Sequence, residues 1–161
     1  MALFGILGGL TFAAKVVMAG LPNIEPVSLM VMLFAVTFGR KCLYPIYVYV
    51  LLEFALYGFN TWSICYLYIW SILALAAWLL RGMSHPLAWA VLSGVYGLVF
   101  GALCAPVDVV IGGFGYAVAK WVNGIPFDLA HCVGNFFIAL VLFVPLRKLL
   151  DRLYRQFRKA C

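Results

Sequence analysis

Apolar residues run through this chain in long blocks, and short stretches of glycine, proline and charged residues separate them. A helix that crosses a bilayer needs roughly 20 apolar residues, with a range of about 17–25. Read that way, the pattern predicts six helices, at about 3–21, 27–39, 42–59, 61–80, 86–105 and 127–147. The second is short, so tilting or burial among its neighbours is expected. Between the fifth and sixth lies APVDVVIGGFGYAVAKWVNGIPF, Ala105 to Phe127, interrupted by Gly112, Gly113, Gly115 and Gly124. Irregular backbone at membrane depth has to be covered by protein or water, so this stretch is expected to be an interfacial or re-entrant insert. A seventh span at about 107–122 is the alternative, and it puts the two termini on opposite sides. With no internal repeat and no low-complexity linker, one membrane domain over 1–161 is expected. Its class is an all-α integral membrane protein, a bundle of six transmembrane helices with capping outer loops.

Composition bears on the solvent. The chain is 67% apolar and 10% charged, against about 45–50% and about 25% in soluble domains. Lipid is therefore the main surroundings. The net charge of +6 is local: Arg147, Lys148, Arg152, Arg155, Arg158 and Lys159 all lie in 147–161. A cationic tail directly after an apolar helix is a cytoplasmic-face anchor near anionic headgroups, not a nucleic-acid surface. A cleavable signal is not expected at the N-terminus, because no basic residue precedes the first apolar run and Lys15 interrupts it.

Charge also orients the bundle. With six spans, Arg40, Lys41, Arg81 and the tail fall on one side, while Lys120 is the one basic loop residue on the other, with Glu25, Asp108 and Asp128. The positive-inside rule makes both termini cytoplasmic. The loop GLPNIEPVSL, Gly20 to Leu29, then faces outside with Asn23 and Glu25 held between two prolines, and so does the insert.

Polar groups inside spans are costly and usually functional, so their depth matters. Lys15 lies five residues below the outer end of the first helix and Glu53 five below that of the third. Tyr66 lies five residues into the fourth helix and His131 four into the sixth, with Asn135 a turn deeper on the same face. At about 1.5 Å per residue, Lys15, Glu53, Tyr66 and His131 share a level roughly 6–8 Å below the outer surface. Such a layer predicts a cavity open to the outside. Tyr57, Trp62, Tyr66 and Trp70 are candidate walls, and Asp128 stands at its rim. Asn23 and Glu25, with the insert around Trp121 and Asn123, are candidate covers. Each member also has a plainer reading. Lys15 and Glu53 form a structural ion pair, Tyr57 and Trp62 belong to an interfacial belt, His131 is a satisfied bundle histidine, and Glu25 is solvated.

Gly5, Gly9 and Ala13 recur every four residues and give the first helix a smooth face, suited to close packing in lipid. Its partner is another span of this chain or a separate protein. No Walker sequence, HExxH or GxSxG is present. The five cysteines are scattered without a CxxC, so neither a zinc site nor a redox pair is expected.

The stretches LPNIEPVSLMVMLFAVTFGRK, LYPIYVYVLLEFALYGF and GIPFDLAHCVGNFFIALVLFVPLRKLL resemble the substrate-binding S component of energy-coupling factor (ECF) vitamin transporters. They are similar to cobalamin-type or unassigned S components of Firmicutes, and the likeness covers nearly the whole chain. The resemblance implies a high-affinity capture protein for a vitamin in a prokaryotic plasma membrane. It has no cofactor of its own; ATP is used by two partner ATPase subunits through a membrane coupling subunit. Gly5, Gly9 and Ala13 then match the face for the coupling subunit, although the family's alanine stripe is here partly glycine. The Asn23–Glu25 loop matches a lid, and the insert a second gate. Cobalamin is the first ligand implied, with no metal ligand assigned to the protein. A smaller heterocycle stacked on Trp62, its polar edge on Glu53, is the other candidate. Two other classes stand beside this one. One is an ion-coupled carrier using Lys15, Glu53 and His131, which the lack of an inverted repeat disfavours. The other is a membrane-embedded enzyme or assembly factor.

Overall fold

A computed structural model of the protein describes residues 2–20 and 26–160. Asn23 and Glu25 lie outside the described residues. The rest is helical: α1 (Ala2–Val17), α2 (Val27–Phe38), a 3-10 turn at Gly39–Cys42, α3 (Leu43–Tyr57), α4 (Thr61–Leu79), α5 (Pro86–Leu98) and α6 (Phe100–Ala160). Three segments are long and apolar enough to cross a membrane: Val27–Tyr57, Thr61–Leu79 and Pro86–Lys159; Ala2–Val17 is a shorter apolar helix. Large apolar side chains point outward from them, among them Ile6, Leu51, Leu79, Val110 and Val141. A soluble surface rarely tolerates contiguous apolar patches of this kind. The architecture is that of an all-helical membrane protein.

Local sequence explains the joints. Gly58 (φ +72°) ends α3 in a conformation that disfavours any side chain. Two residues on, Asn60 caps α4: its side chain accepts from Ser63 N at 3.0 Å, and its own N–H donates to Ser63 Oγ at 3.0 Å. This reciprocal pair satisfies two otherwise orphaned donors. At the head of α5, His85 Nδ1 accepts from Leu87 N at 3.2 Å, ahead of Pro86 in the first turn.

The stretch 105–127 differs from the expected irregular insert. Val99 N donates to Val95 O and Leu103 N to Val99 O, so α5 passes directly into α6 through Val99, while the Gly101 N–H between them turns to Asp128. The break comes at Gly113, with φ +81° and ψ 173°, and there the chain doubles back. Pairs step away from the turn in antiparallel register. The Tyr116 ring fills the space beside Gly112, Lys120 Nζ meets Asp108 Oδ1 at 2.5 Å, and Asp128 Oδ1 accepts from Gly101 N at 3.1 Å. Further down, Gly97 lies against the His131 backbone, and Trp89 stacks on Phe143 with centroids 4.2 Å apart. The fifth and sixth helices are therefore longer than their sequence boundaries, as rods 86–112 and 114–160. Glycine within a helix costs only about 1 kcal/mol relative to alanine, and pairing along the hairpin outweighs it.

α2 is almost wholly buried and forms the centre of the bundle. Ser28, in its first turn, accepts from Asn135 of α6, and Phe38, at its far end, packs edge-on against Tyr154. α1 and α3 run parallel. Phe4 stacks on Tyr44 at one end, Lys15 meets Glu53 at the other, and Gly8 in between lets Val48 and Pro45 approach closely. One end of the bundle gathers the basic residues. Thr37 donates to Asp151 there, Arg81 lies over Trp78, and Arg40 shares a cavity wall with Trp78.

Candidate functional site

Glu53 and Tyr57 are four residues apart on α3, and Trp62 and Tyr66 four apart on α4, so each pair shares a helix face. The turn at Gly58–Asn60 sets the two faces against each other, with the Tyr57 and Trp62 rings 5.6 Å apart. Lys15 enters this corner from α1. Its Nζ donates to Glu53 Oε2 at 2.6 Å and lies 5.1, 5.3 and 5.4 Å from the ring centroids of Tyr57, Trp62 and Tyr66. Glu53 is 1% exposed and Lys15 13%. A carboxylate so buried is tolerable only with a paired charge. Its second oxygen, Oε1, has no partner among the described residues.

An aromatic column carries the layer across to α6. Tyr66 packs on Trp70 (5.3 Å) and Phe100 (6.4 Å), and Phe100 meets the His131 ring at 4.9 Å. Tyr49 stacks on Tyr66 from below at 6.1 Å. Both Trp70 Nε1 and His131 Nε2 are buried without a hydrogen-bond partner among the described residues. One turn deeper, Asn135 Nδ2 donates to Ser28 Oγ at 3.0 Å and to the Ser93 carbonyl at 3.3 Å, tying α6 to α2 and α5.

Of the residues singled out in the sequence, Lys15, Glu53, Tyr57, Trp62 and Tyr66 form one cluster. His131 stands beyond Phe100, and Asn135 acts as a structural tie beneath it. Asp128 is spent on the backbone of Gly101, while its Oδ2 has no partner among the described residues. Trp121 lies beside Gly101 with 42% of its surface exposed, and Asn123 is exposed; neither reaches the cluster around Lys15. The reason is the helical hairpin, which spaces these residues along a rod rather than folding them over the layer. Phe100 and Tyr49 were missed. Their signal lies in the spacing: Tyr49 is four residues before Glu53, and Phe100 follows Tyr96 by four.

The small-residue face of α1 has no neighbour among the described residues. A Cβ added at Gly5 or Gly9 meets nothing within 4 Å, and Ala13 is exposed. Gly8 makes the close approach inside the bundle instead, where a Cβ would fall 2.6 Å from Val48 and 2.7 Å from the Pro45 carbonyl.

Cavities lie at the basic end of the molecule, away from the layer, among them one of about 570 Å³ bounded by Leu80, Met83, His85 and Val95. Another of about 490 Å³ is bounded by Gly39, Arg40, Ser71 and Trp78, and one of about 260 Å³ by Lys148, Arg152, Arg155 and Lys159. No cluster of three or more His, Cys, Asp or Glu side chains suited to a metal occurs among the described residues. Chemically, the layer offers a buried carboxylate, an aromatic enclosure and an imidazole, which suits binding of a small molecule. No family model, curated protein or solved structure matches the chain.

Proposed function

We propose that this protein is the substrate-capturing subunit of a membrane importer, akin to the S component of an ECF transporter. It takes up a vitamin or related micronutrient from outside a prokaryotic cell. The observation that carries this reading is convergence at one level. Lys15, Glu53 and Tyr66 arrive from three helices, and Phe100 links them to His131 on a fourth. Nonadjacent polar and aromatic groups so arranged, with Glu53 Oε1, Trp70 Nε1 and His131 Nε2 buried and unpaired among the described residues, are the make-up of a ligand site.

In this reading the chain has six spans: α1, α2, α3, α4 and the two rods of the hairpin. Both termini are cytoplasmic, because the basic residues of the loops and tail collect at one end of the bundle. The layer then opens outward, with the segment holding Asn23 and Glu25 as its lid. Trp121 and Asn123 belong to the outer hairpin rather than to the ligand's first contacts. The open face of Gly5, Gly9 and Ala13 docks the coupling subunit, through which two ATPase subunits drive import. Cobalamin is the ligand the family resemblance favours, and a smaller heterocycle held on Trp62 and Glu53 is the candidate the geometry favours.

Co-purification tests the assignment. The tagged protein should bring down a membrane coupling subunit and two ATPases, and uptake should require ATP. Transport by the purified chain alone in liposomes under a pH gradient would show the ion-coupled carrier instead. For that carrier a Lys15–Glu53–His131 relay would have to cross the apolar Phe100 ring, which can carry no proton.

A further inference from the structure

The Lys15 ammonium is already held as an aromatic cage holds a cation. Its three ring distances, 5.1–5.4 Å, fall within the roughly 6 Å over which a ring face attracts a cation, the contact by which ammonium ligands are recognised. A structural ion pair requires no such enclosure, since hydrogen bonds to the paired charges suffice. The cage is also asymmetric. Tyr57 and Trp62 are 39% and 41% exposed, whereas Glu53 is 1% exposed and closes the inner side. Oε1 of Glu53 is buried without a partner among the described residues, so Lys15 does not take up all of the carboxylate's accepting capacity. Finally, Lys15 lies in the last turn of α1 on a long flexible stem. Its charge can swing toward the surface, while that of Glu53 cannot.

We propose that Glu53, Tyr57, Trp62 and Tyr66 form the receiving site for a cationic nitrogen of the captured nutrient, a quaternary or alkylated ammonium. Lys15 is a tethered stand-in that the ligand displaces. Charge decides between displacement and sharing. A second cation beside Lys15 leaves an unbalanced positive charge in a largely buried corner, whereas exchange keeps the corner neutral. Displacement also separates ligand-free from loaded protein, because α1 loses its ion pair with α3 when Lys15 leaves. The proposal rests on reading the polar layer as a ligand site.

Lys15 is then an internal competitor. If it fills the cage for about nine-tenths of the time, removing it tightens binding of a cation about tenfold. The test uses the full-length protein in a maltoside detergent, free of choline lipids, titrated with choline. The control is its neutral isostere, in which carbon replaces the quaternary nitrogen. Choline should saturate and shift tryptophan fluorescence, and the isostere should not. Lys15→Met should bind choline about tenfold more tightly, and Trp62→Leu and Glu53→Gln more weakly than wild type. A second measurement needs no variant: saturating choline should raise the reactivity of Lys15 toward an amine-directed label, mapped by mass spectrometry. Equal responses to choline and its isostere, no response to either, or unchanged labelling of Lys15 would each overturn the proposal. Failure here with ATPases still co-purifying removes the cationic ligand alone. A choline response without ATPases removes the importer assignment alone.

Discussion

Glu53 and Lys15 form an unequal pair. The carboxylate is 1% exposed with one oxygen unpaired among the described residues, while the ammonium is 13% exposed at the end of a flexible stem. Removing one member of a buried pair costs roughly 3–5 kcal/mol when the survivor stays buried. Lys15→Ala, which strands Glu53, should fall in that range by denaturant titration. Glu53→Gln should cost distinctly less, because the freed ammonium can reach the surface. Comparable losses would mean that Lys15 is as confined as its partner. For binding the order reverses: Glu53→Gln and His131→Ala should both weaken ligand capture while leaving subunit assembly intact. Unchanged affinity in both would remove the site. Lys15, Glu53, Tyr66 and His131 could be placed at one depth from the sequence because helical rise is constant. Phe100, which joins the two halves of the layer, carries no polar group that would mark its depth in the sequence.

Between elements, glycines decide the packing, and they differ sharply in what they do. Gly8 faces Val48 and the Pro45 carbonyl, and backbone cannot move aside as a side chain can. Gly8→Ala should therefore destabilise the protein by about 1–3 kcal/mol, read as a lower melting temperature, and should loosen the Lys15–Glu53 contact. Gly9→Leu meets open space; it should leave the melting temperature unchanged and abolish co-purification with the coupling subunit. If Gly9→Leu unfolds the protein, or assembles normally, the α1 face is not a docking surface. At the hairpin turn, Gly113 sits at φ +81° and ψ 173°, a region essentially reserved for glycine, so Gly113→Ala should cost about 1–3 kcal/mol. The sequence could not separate these glycines. Clustered as Gly112, Gly113 and Gly115, they read as a broken insert, yet Gly113 alone takes positive φ and its neighbours stay helical. What sets Gly113 apart is the reversal of the chain at that point, and no local window contains both rods. The brevity of the second helix was legible, and its place at the centre of the bundle follows from contacts with α4 and α6 on either side.

Across the whole molecule, Arg40, Arg81 and the basic tail gather at one end, while Lys15 and Lys120 stand with the polar layer toward the other. That separation followed from loop charge alone, because Arg40, Lys41, Arg81 and the tail recur at every second turn of the chain. Single cysteines placed at Arg81 and Lys159, in a background where the native cysteines are serine, should label from the cytoplasmic side alone, and one at Asn123 from the outer side alone. Labelling of Arg81→Cys and Lys159→Cys from opposite sides would contradict the six-span orientation. If the Lys15–Glu53 corner and its rings hold a nutrient, native mass spectrometry of protein purified from its host membrane should reveal it. Wild type should release a bound small molecule on activation, and Glu53→Gln, folded to the same extent, should carry none. Identical spectra for the two proteins, whether both empty or both loaded, would contradict the account.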